Sequence, residues 1–409
     1  MDETDEVIDS GILRKRVQPH PDLLSGVSVL AFVERFVLFS AFNLLIYELF
    51  ANRSANAEGW EVYDFYLLYL LGTLVLQIPG GIVVDRYTGP VKGILWGGFF
   101  LATGIFFLPF GGDLLEIPGV VLMWIGSALF GPALPAWLGY HYASRTEFSA
   151  SGFSFFLASG RAGSFLGSVV VAYALNYIGW KEGLMISGIL LLATLIFFFA
   201  VKKNLAQPGV ISTEPDFKAM KSIFFLIPPM VGAGLFIIHR SGIKASQVLE
   251  QEAGDGIRTI VGHGMALLII AFLYVKAQKG RHSTEARLRT MGSNAIIIAA
   301  MSAIAVGLTD YIQSKVITIG LISLSVVVMA WSIASLLPGA YSLLFEQAKK
   351  HSGLISGVLN VFGLAPYGLL ILSDTDLGQM LEIPLSVAAI LVLTSGGFHL
   401  MKSGRVSSS

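Results

Sequence analysis

Apolar residues run along this chain in long blocks separated by short polar breaks. A helix needs about 20 mostly apolar residues to cross a hydrocarbon layer ~30 Å thick, and it can do so because its backbone groups are satisfied within the segment. Blocks of that length fall at 24–50, 60–84, 92–110, 117–142, 152–177, 182–201, 219–239, 257–277, 291–310, 315–345, 351–372 and 382–402. The pattern predicts an all-α integral membrane protein with twelve transmembrane helices. The block at 92–110 is short, and that at 315–345 is long enough to tilt or to emerge from the bilayer as helix.

Composition removes the soluble alternative. Of 409 residues, 54% are hydrophobic and 13% charged, against about 25% charged in a typical soluble domain. Charge placement then tests the even count, because Lys and Arg accumulate in short cytoplasmic loops. With the N-terminus inside, nineteen of the 27 basic residues fall on that side, six on the other, and Arg35 and Arg161 fall inside spans. Both termini are therefore expected in the cytoplasm, with the chain a multi-pass protein of the cell membrane. The acidic opening MDETDEVIDS lacks an apolar core with a cleavage site, so the first span is expected to do the targeting. Absence of cysteine excludes disulfides and thiolate metal sites. Zero net charge gives no polybasic surface for nucleic acid.

The polar stretch KKNLAQPGVISTEPDFKAMK divides the blocks six and six. It predicts an N-terminal six-helix bundle at 1–201, a cytoplasmic linker at 202–218 and a C-terminal six-helix bundle at 219–409. Ser151-Gly152 and Ser352-Gly353 open corresponding spans of the two halves, an echo of the internal repeats in which transporters set a midplane substrate site. The 45 glycines cluster within spans, where small residues let helices approach closely.

Two runs carry chemical information. Gly80-Gly81-Ile82-Val83-Val84-Asp85-Arg86-Tyr87-Thr88-Gly89-Pro90-Val91-Lys92 leaves the second span on the cytoplasmic side. There Asp85 can engage either a neighbouring helix N-terminus or a basic side chain. Glu34-Arg35-Phe36 lies inside the first span, about 12–15 Å deep at helical rise. Arg161 of the fifth span sits at similar depth. Buried charges are costly unless paired or facing water, and inside a membrane they mark function by default, the alternative being a purely structural ion pair. Adjacent helical residues diverge by ~100°, so Glu34 and Arg35 are not expected to neutralise each other directly, and at least one needs a partner from another helix.

The 80–92 run resembles the loop signature of the major facilitator superfamily, with Gly81, Asp85, Arg86, Gly89 and Lys92 matching and Pro90 and Val91 standing where basic residues are usual. The resemblance implies a conformational latch between two bundles. Phe32-Val33-Glu34-Arg35-Phe36, Asp85-Arg86-Tyr87-Thr88-Gly89 and Gly152-Phe153-Ser154-Phe155-Phe156 further resemble motifs of the proton-dependent oligopeptide transporters, over roughly the N-terminal 190 residues. Departures accompany these matches. Ala31 replaces an acid, Leu38 and Phe39 replace tyrosines, Gly131 replaces a lysine, Arg161 replaces an asparagine, and apolar Ile333 or a neighbour replaces an acid.

The expected substrate or proton site is Glu34, Arg35 and Arg161, with Asn360 as a polar candidate from the second half, beside Asn294 and Tyr341. Two arginines against one glutamate suit a carboxylate- or phosphate-bearing solute, and a zwitterionic amino acid or peptide also fits. His263 is a second candidate for proton coupling, and Asn52-Arg53-Ser54 matches a glycosylation acceptor. No nucleotide-binding loop, HExxH pair or nucleophile elbow occurs, so neither enzymatic chemistry nor a cofactor is expected. The reading is a secondary transporter of a small solute working by alternating access, either proton-coupled or not. The alternative is a carrier-derived receptor or scaffold without transport.

Overall fold

With no water in the bilayer core, backbone N–H and C=O groups are satisfied along each helix, and helices account for almost all of the described chain. A computed structural model describes residues 20–48, 62–110, 112–201, 217–253, 257–280, 282–308, 315–348, 351–372 and 376–406. The helices are α1 (Leu23–Glu48), α2 (Val62–Val83), α3 (Gly89–Phe110), α4 (Gly112–Tyr142), α5 (Thr146–Tyr177), α6 (Trp180–Val201), α7 (Phe217–Ala253), α8 (Ile257–Ala277), α9 (Thr284–Ser302), α10 (Lys315–Ala348), α11 (Ser352–Leu372) and α12 (Asp376–Val406). Each expected span has its helix. Among the described residues, nine helical stretches are long and apolar enough to cross a membrane. One of them, Leu68–Phe110, runs through α2, a π-helical turn at Val84–Thr88 and α3, while α8 and α11 hold shorter apolar segments.

Boundaries differ where hydropathy is silent. α7 continues past 239 to Ala253, because Arg240–Ala253 is polar but helix-competent. α9 starts at Thr284 rather than 291, because the Ser283 side chain caps it by accepting from the Ala286 N–H. Of the expected linker, Phe217 and Lys218 already belong to α7, and the remainder lies outside the described residues, as does Asn52-Arg53-Ser54.

Within the first half α1 packs on α5 and α6, and α3 on α4 and α6; within the second, α9 packs on α10 and α12, and α7 on α10 and α11. Between the halves, α2 meets α11, α5 meets α8 and α10, and α4 meets α11. These contacts depend on small residues. A Cβ on Gly163 of α5 would lie 2.0 Å from the Phe32 carbonyl oxygen of α1, so backbone would have to move. Gly163→Leu is expected to lower the thermal unfolding midpoint in detergent, with a cost at or above the ~1–3 kcal/mol typical of overpacking.

His20 ties the start of α1 to its neighbours. Its Nδ1 is 2.7 Å from the Tyr142 hydroxyl and its Nε2 is 3.4 Å from Ser151 Oγ. Burial lowers its pKa below 6.5, so the unfolded chain binds this proton more tightly than the folded one. The stability due to neutral His20 is complete above pH 6.5 and is lost as pH falls below it. Acidification from about pH 7 to pH 5 should lower the unfolding midpoint less in His20→Gln than in the unsubstituted chain.

Candidate functional site

The middle of α1 packs on α5 and borders a central cavity, and there Glu34 is buried at 2% exposure. The Arg35 guanidinium folds back so that Nε is 3.1 Å from Glu34 Oε2. This corrects the expectation that neighbours on one helix could not pair. Divergence of ~100° separates the Cβ directions, but the long arginine stem spans that divergence. Glu34 therefore takes its cation from its own helix.

Glu34, Arg35, Arg161 and Asn360 all line one central cavity of about 100 Å³. α1, α4 and α5 form one wall, with Gly131, Phe156 and Gly160 among the lining residues; α7, α10 and α11 form the other, with Val231 and Tyr341. Tyr341 is within electrostatic reach of Glu34, Arg35 and Arg161 together. Asn360 Nδ2 donates to Gln77 Oε1 of α2 at 3.0 Å, so it joins the halves as well as lining the cavity. Gly131 leaves room at this point. A Cβ there would lie 3.2 Å from Asn360 Nδ2, 3.3 Å from Gln77 Oε1 and 3.8 Å from Glu34 Oε1.

Asp85 sits on the π-helical turn at the end where α1 begins and α12 ends, called here the latch end. Its Oδ1 accepts from the Gly353 N–H at 2.7 Å and its Oδ2 from the Leu354 N–H at 2.8 Å, while the Tyr140 hydroxyl donates to Oδ1 at 3.4 Å. A carboxylate thus fills the first turn of α11, where the helix leaves N–H groups unsatisfied and its dipole is positive. Of the two partners open to Asp85, the structure uses the helix N-terminus. Glycine makes this approach possible, since a Cβ on Gly81 would lie 2.2 Å from the Gly353 carbonyl oxygen. Gly89 ends the turn at φ 69°, a conformation open to glycine. Arg86 and Lys92 are exposed.

On the other side of the latch end the contact is aromatic. The Phe153 ring of α5 stacks on Phe345 of α10 with centroids 5.2 Å apart and lies 5.6 Å from Tyr341. Ser149 Oγ donates to Ser342 Oγ at 2.9 Å, and Arg287 of α9 donates to both hydroxyls. The two halves therefore join on either side of the latch end, and the cavity lies farther in.

Sequence reasoning missed Gln77 and His239. Gln77 is 2% exposed within an apolar run, and nothing in that run marks it as facing the other half. His239 feels the charge of Arg161 and bonds through Nδ1 to the Leu235 carbonyl, 2.7 Å away. Asn294 is spent on the Thr290 carbonyl of its own helix. The side chain of His263 lies outside the described residues.

Known proteins match at several levels. The chain is 29% identical over 206 residues to the peptide transporter YePEPT of Yersinia enterocolitica, a match covering 47% of this chain and 40% of that protein. It is 24% identical over 233 residues to dipeptide and tripeptide permease A of Serratia proteamaculans, covering 54% and 45% respectively. These matches span less than half the length of either relative. Among solved structures it is similar to a POT family transporter in complex with a thioalcohol-conjugated peptide, at TM-score 0.57, 15% identity and coverage of 95% and 97%. It is likewise similar to a POT family transporter in complex with 5-aminolevulinic acid, at TM-score 0.56, 16% identity and 95% coverage of both chains. At such identities the likeness establishes the fold. Residues 24–371 match the Major Facilitator Superfamily, and with its multiple apolar helices the chain belongs to that superfamily of membrane proteins.

Proposed function

We propose that this protein is a secondary transporter that moves a small solute by alternating access and couples the movement to protons through Glu34. The observation that carries this reading is the central cavity, walled by both halves, in which a buried glutamate is neutralised by Arg35 beside a second guanidinium, Arg161. Similarity to peptide transporters in two bacteria supports it. Solutes bearing a carboxylate fit best, namely a short peptide, an amino acid or an organic anion, because guanidinium groups bind carboxylates by paired hydrogen bonds. Such a carboxylate would compete with Glu34 for Arg35. Release of Arg35 leaves a buried carboxylate without its cation, and proton uptake then becomes the cheaper way to keep Glu34 in place.

At about 100 Å³ the cavity is smaller than the ~300–1,000 Å³ of typical ligand pockets. The contacts of Asp85 and Phe153 hold the halves together at the latch end, and passage of a solute to that side requires them to separate there. We assign the latch role to Gly81, Asp85, Arg86, Gly89 and Lys92, with Asp85 making the bonds and the glycines permitting the approach, and place that end in the cytoplasm. Purified protein in liposomes, offered labelled peptides, amino acids and organic anions with and without an inward proton gradient, tests the reading. Gradient-dependent accumulation of any of these supports it. A chain that accumulates and exchanges none of them would instead be a receptor or scaffold, the reading favoured by the loss of charge at Ala31 and Gly131.

A further inference from the structure

A second cavity, of about 120 Å³, lies at the seam between the halves, lined by Ser151 and Ser154 of α5, Lys276 of α8, Lys279 and His282 of the following connection, and Arg287 of α9. Among the described residues, none of those lining it is acidic. Its cations are crowded. Lys276 Nζ and Lys279 Nζ lie 4.1 and 5.7 Å from the centroid of the Trp331 ring and within hydrogen-bonding reach of each other. His282, in the connection, is driven below its usual pKa of 6.5 by burial and by the charges of Lys279, Arg287 and Lys276.

Arg287 lines the cavity with one of its donors unsatisfied. It is 4% exposed, and its terminal nitrogens bond to Ser149, Ser342, Thr284 and Glu346. Its Nε, however, is buried without a partner, and a buried donor left unsatisfied on a charged group is costlier than one on a neutral group. Glu346 neutralises one face of this guanidinium, and among the described residues no acid of the cavity wall stands beside the two lysines. The arrangement is several donors around an opening the size of one small anion, at the end of α8 where the apolar run stops. Basic pockets between helix ends at a membrane surface suit phosphate head groups.

We propose that this cavity is an oxyanion site for a phosphate group, carried either by inorganic phosphate or by a phospholipid head group, and that the bound anion holds α5 against α8 and α9. Because Ser151 and Ser154 come from one half and the cations from the other, the site is whole only while the latch end is closed. The anion therefore binds that state in preference and shifts the population toward it. This proposal does not depend on what the central cavity carries.

Trp331 provides the readout. Titration of the purified chain with sodium phosphate, at ionic strength held constant with chloride, should change tryptophan emission saturably as the lysines leave the ring. The change should be absent in Trp331→Phe. Lys276→Gln/Lys279→Gln should weaken phosphate binding by about tenfold or more, as expected for losing charge-assisted bonds. In a parallel arm, phosphatidylcholine liposomes with and without phosphatidic acid are compared by thermal unfolding. A higher midpoint with phosphatidic acid, lost in the double variant, assigns the site to a lipid, and a response to inorganic phosphate alone assigns it to the soluble anion. If the double variant does not fold, exposed Lys279→Gln alone takes its place. The proposal is overturned by no response in either arm, or by a response of equal affinity in the lysine variants.

Discussion

Glu34→Gln is expected to abolish gradient-driven accumulation and reduce the solute ratio across the membrane to equilibrium, while exchange of solute between the two sides continues. The substitution keeps the shape and hydrogen-bonding capacity of the side chain and removes the one carboxylate that lines the cavity among the described residues. It also leaves Arg35 without its partner at 3.1 Å, but that side chain is 28% exposed and can take water from the cavity. Binding geometry should then survive while proton carriage does not. Counterflow and proton-driven uptake, measured on the same proteoliposomes, separate the two losses. Full proton-driven uptake by Glu34→Gln would remove this residue from the coupling and direct attention to His263 or to a carrier without coupling.

Substitution of Asp85 should have the next largest effect, on conformation rather than on the cavity. Its carboxylate accepts two N–H bonds from the first turn of α11, and bonds to a charged group contribute roughly 1.5–3 kcal/mol each. Asp85→Asn keeps one accepting oxygen and turns an NH2 toward the other N–H, so one bond is lost and a donor faces a donor. The balance should move about tenfold or more toward the form open at the latch end, and further in Asp85→Ala. A chain with no native cysteine makes the measurement direct. Ser342 is 1% exposed at the seam, and Ser342→Cys should react slowly with a maleimide in the parent and rapidly with Asp85→Asn added. Equal rates would show that the bonds at Asp85 do not hold the halves together.

Helix count and order were legible because long apolar blocks admit one solution in a bilayer, and the twelve helices follow those blocks. Helix ends were less legible, since Arg240–Ala253 of α7 and the first turn of α9 are held by backbone and capping bonds that hydropathy does not register. At the cavity, a charge inside an apolar run is conspicuous, so Glu34, Arg35 and Arg161 stood out. Their pairing did not, because it depends on how an arginine stem folds rather than on where its Cβ points. Gln77 and Asn360 meet across the two halves, 283 residues apart in sequence, and a contact of that span leaves no local trace. Asp85 was legible only as a choice between two partners, and the geometry of α11 decides between them.

The two sides of the latch end are made of unlike material. On the α2–α11 side, glycine backbones and the Asp85 carboxylate make the contact; on the α5–α10 side the Phe153–Phe345 stack sits beside the Ser149–Ser342 hydroxyl pair, to which Arg287 also donates. Exposing aromatic surface to water raises the heat capacity, whereas exposing polar groups lowers it. The aromatic part of the α5–α10 contact therefore weakens in the cold, as apolar association does on cooling, whereas the hydrogen bonds on either side gain no such relief. Temperature thus acts unequally on the two sides: were the halves to part at this end, cooling would lower the cost more between α5 and α10 than between α2 and α11.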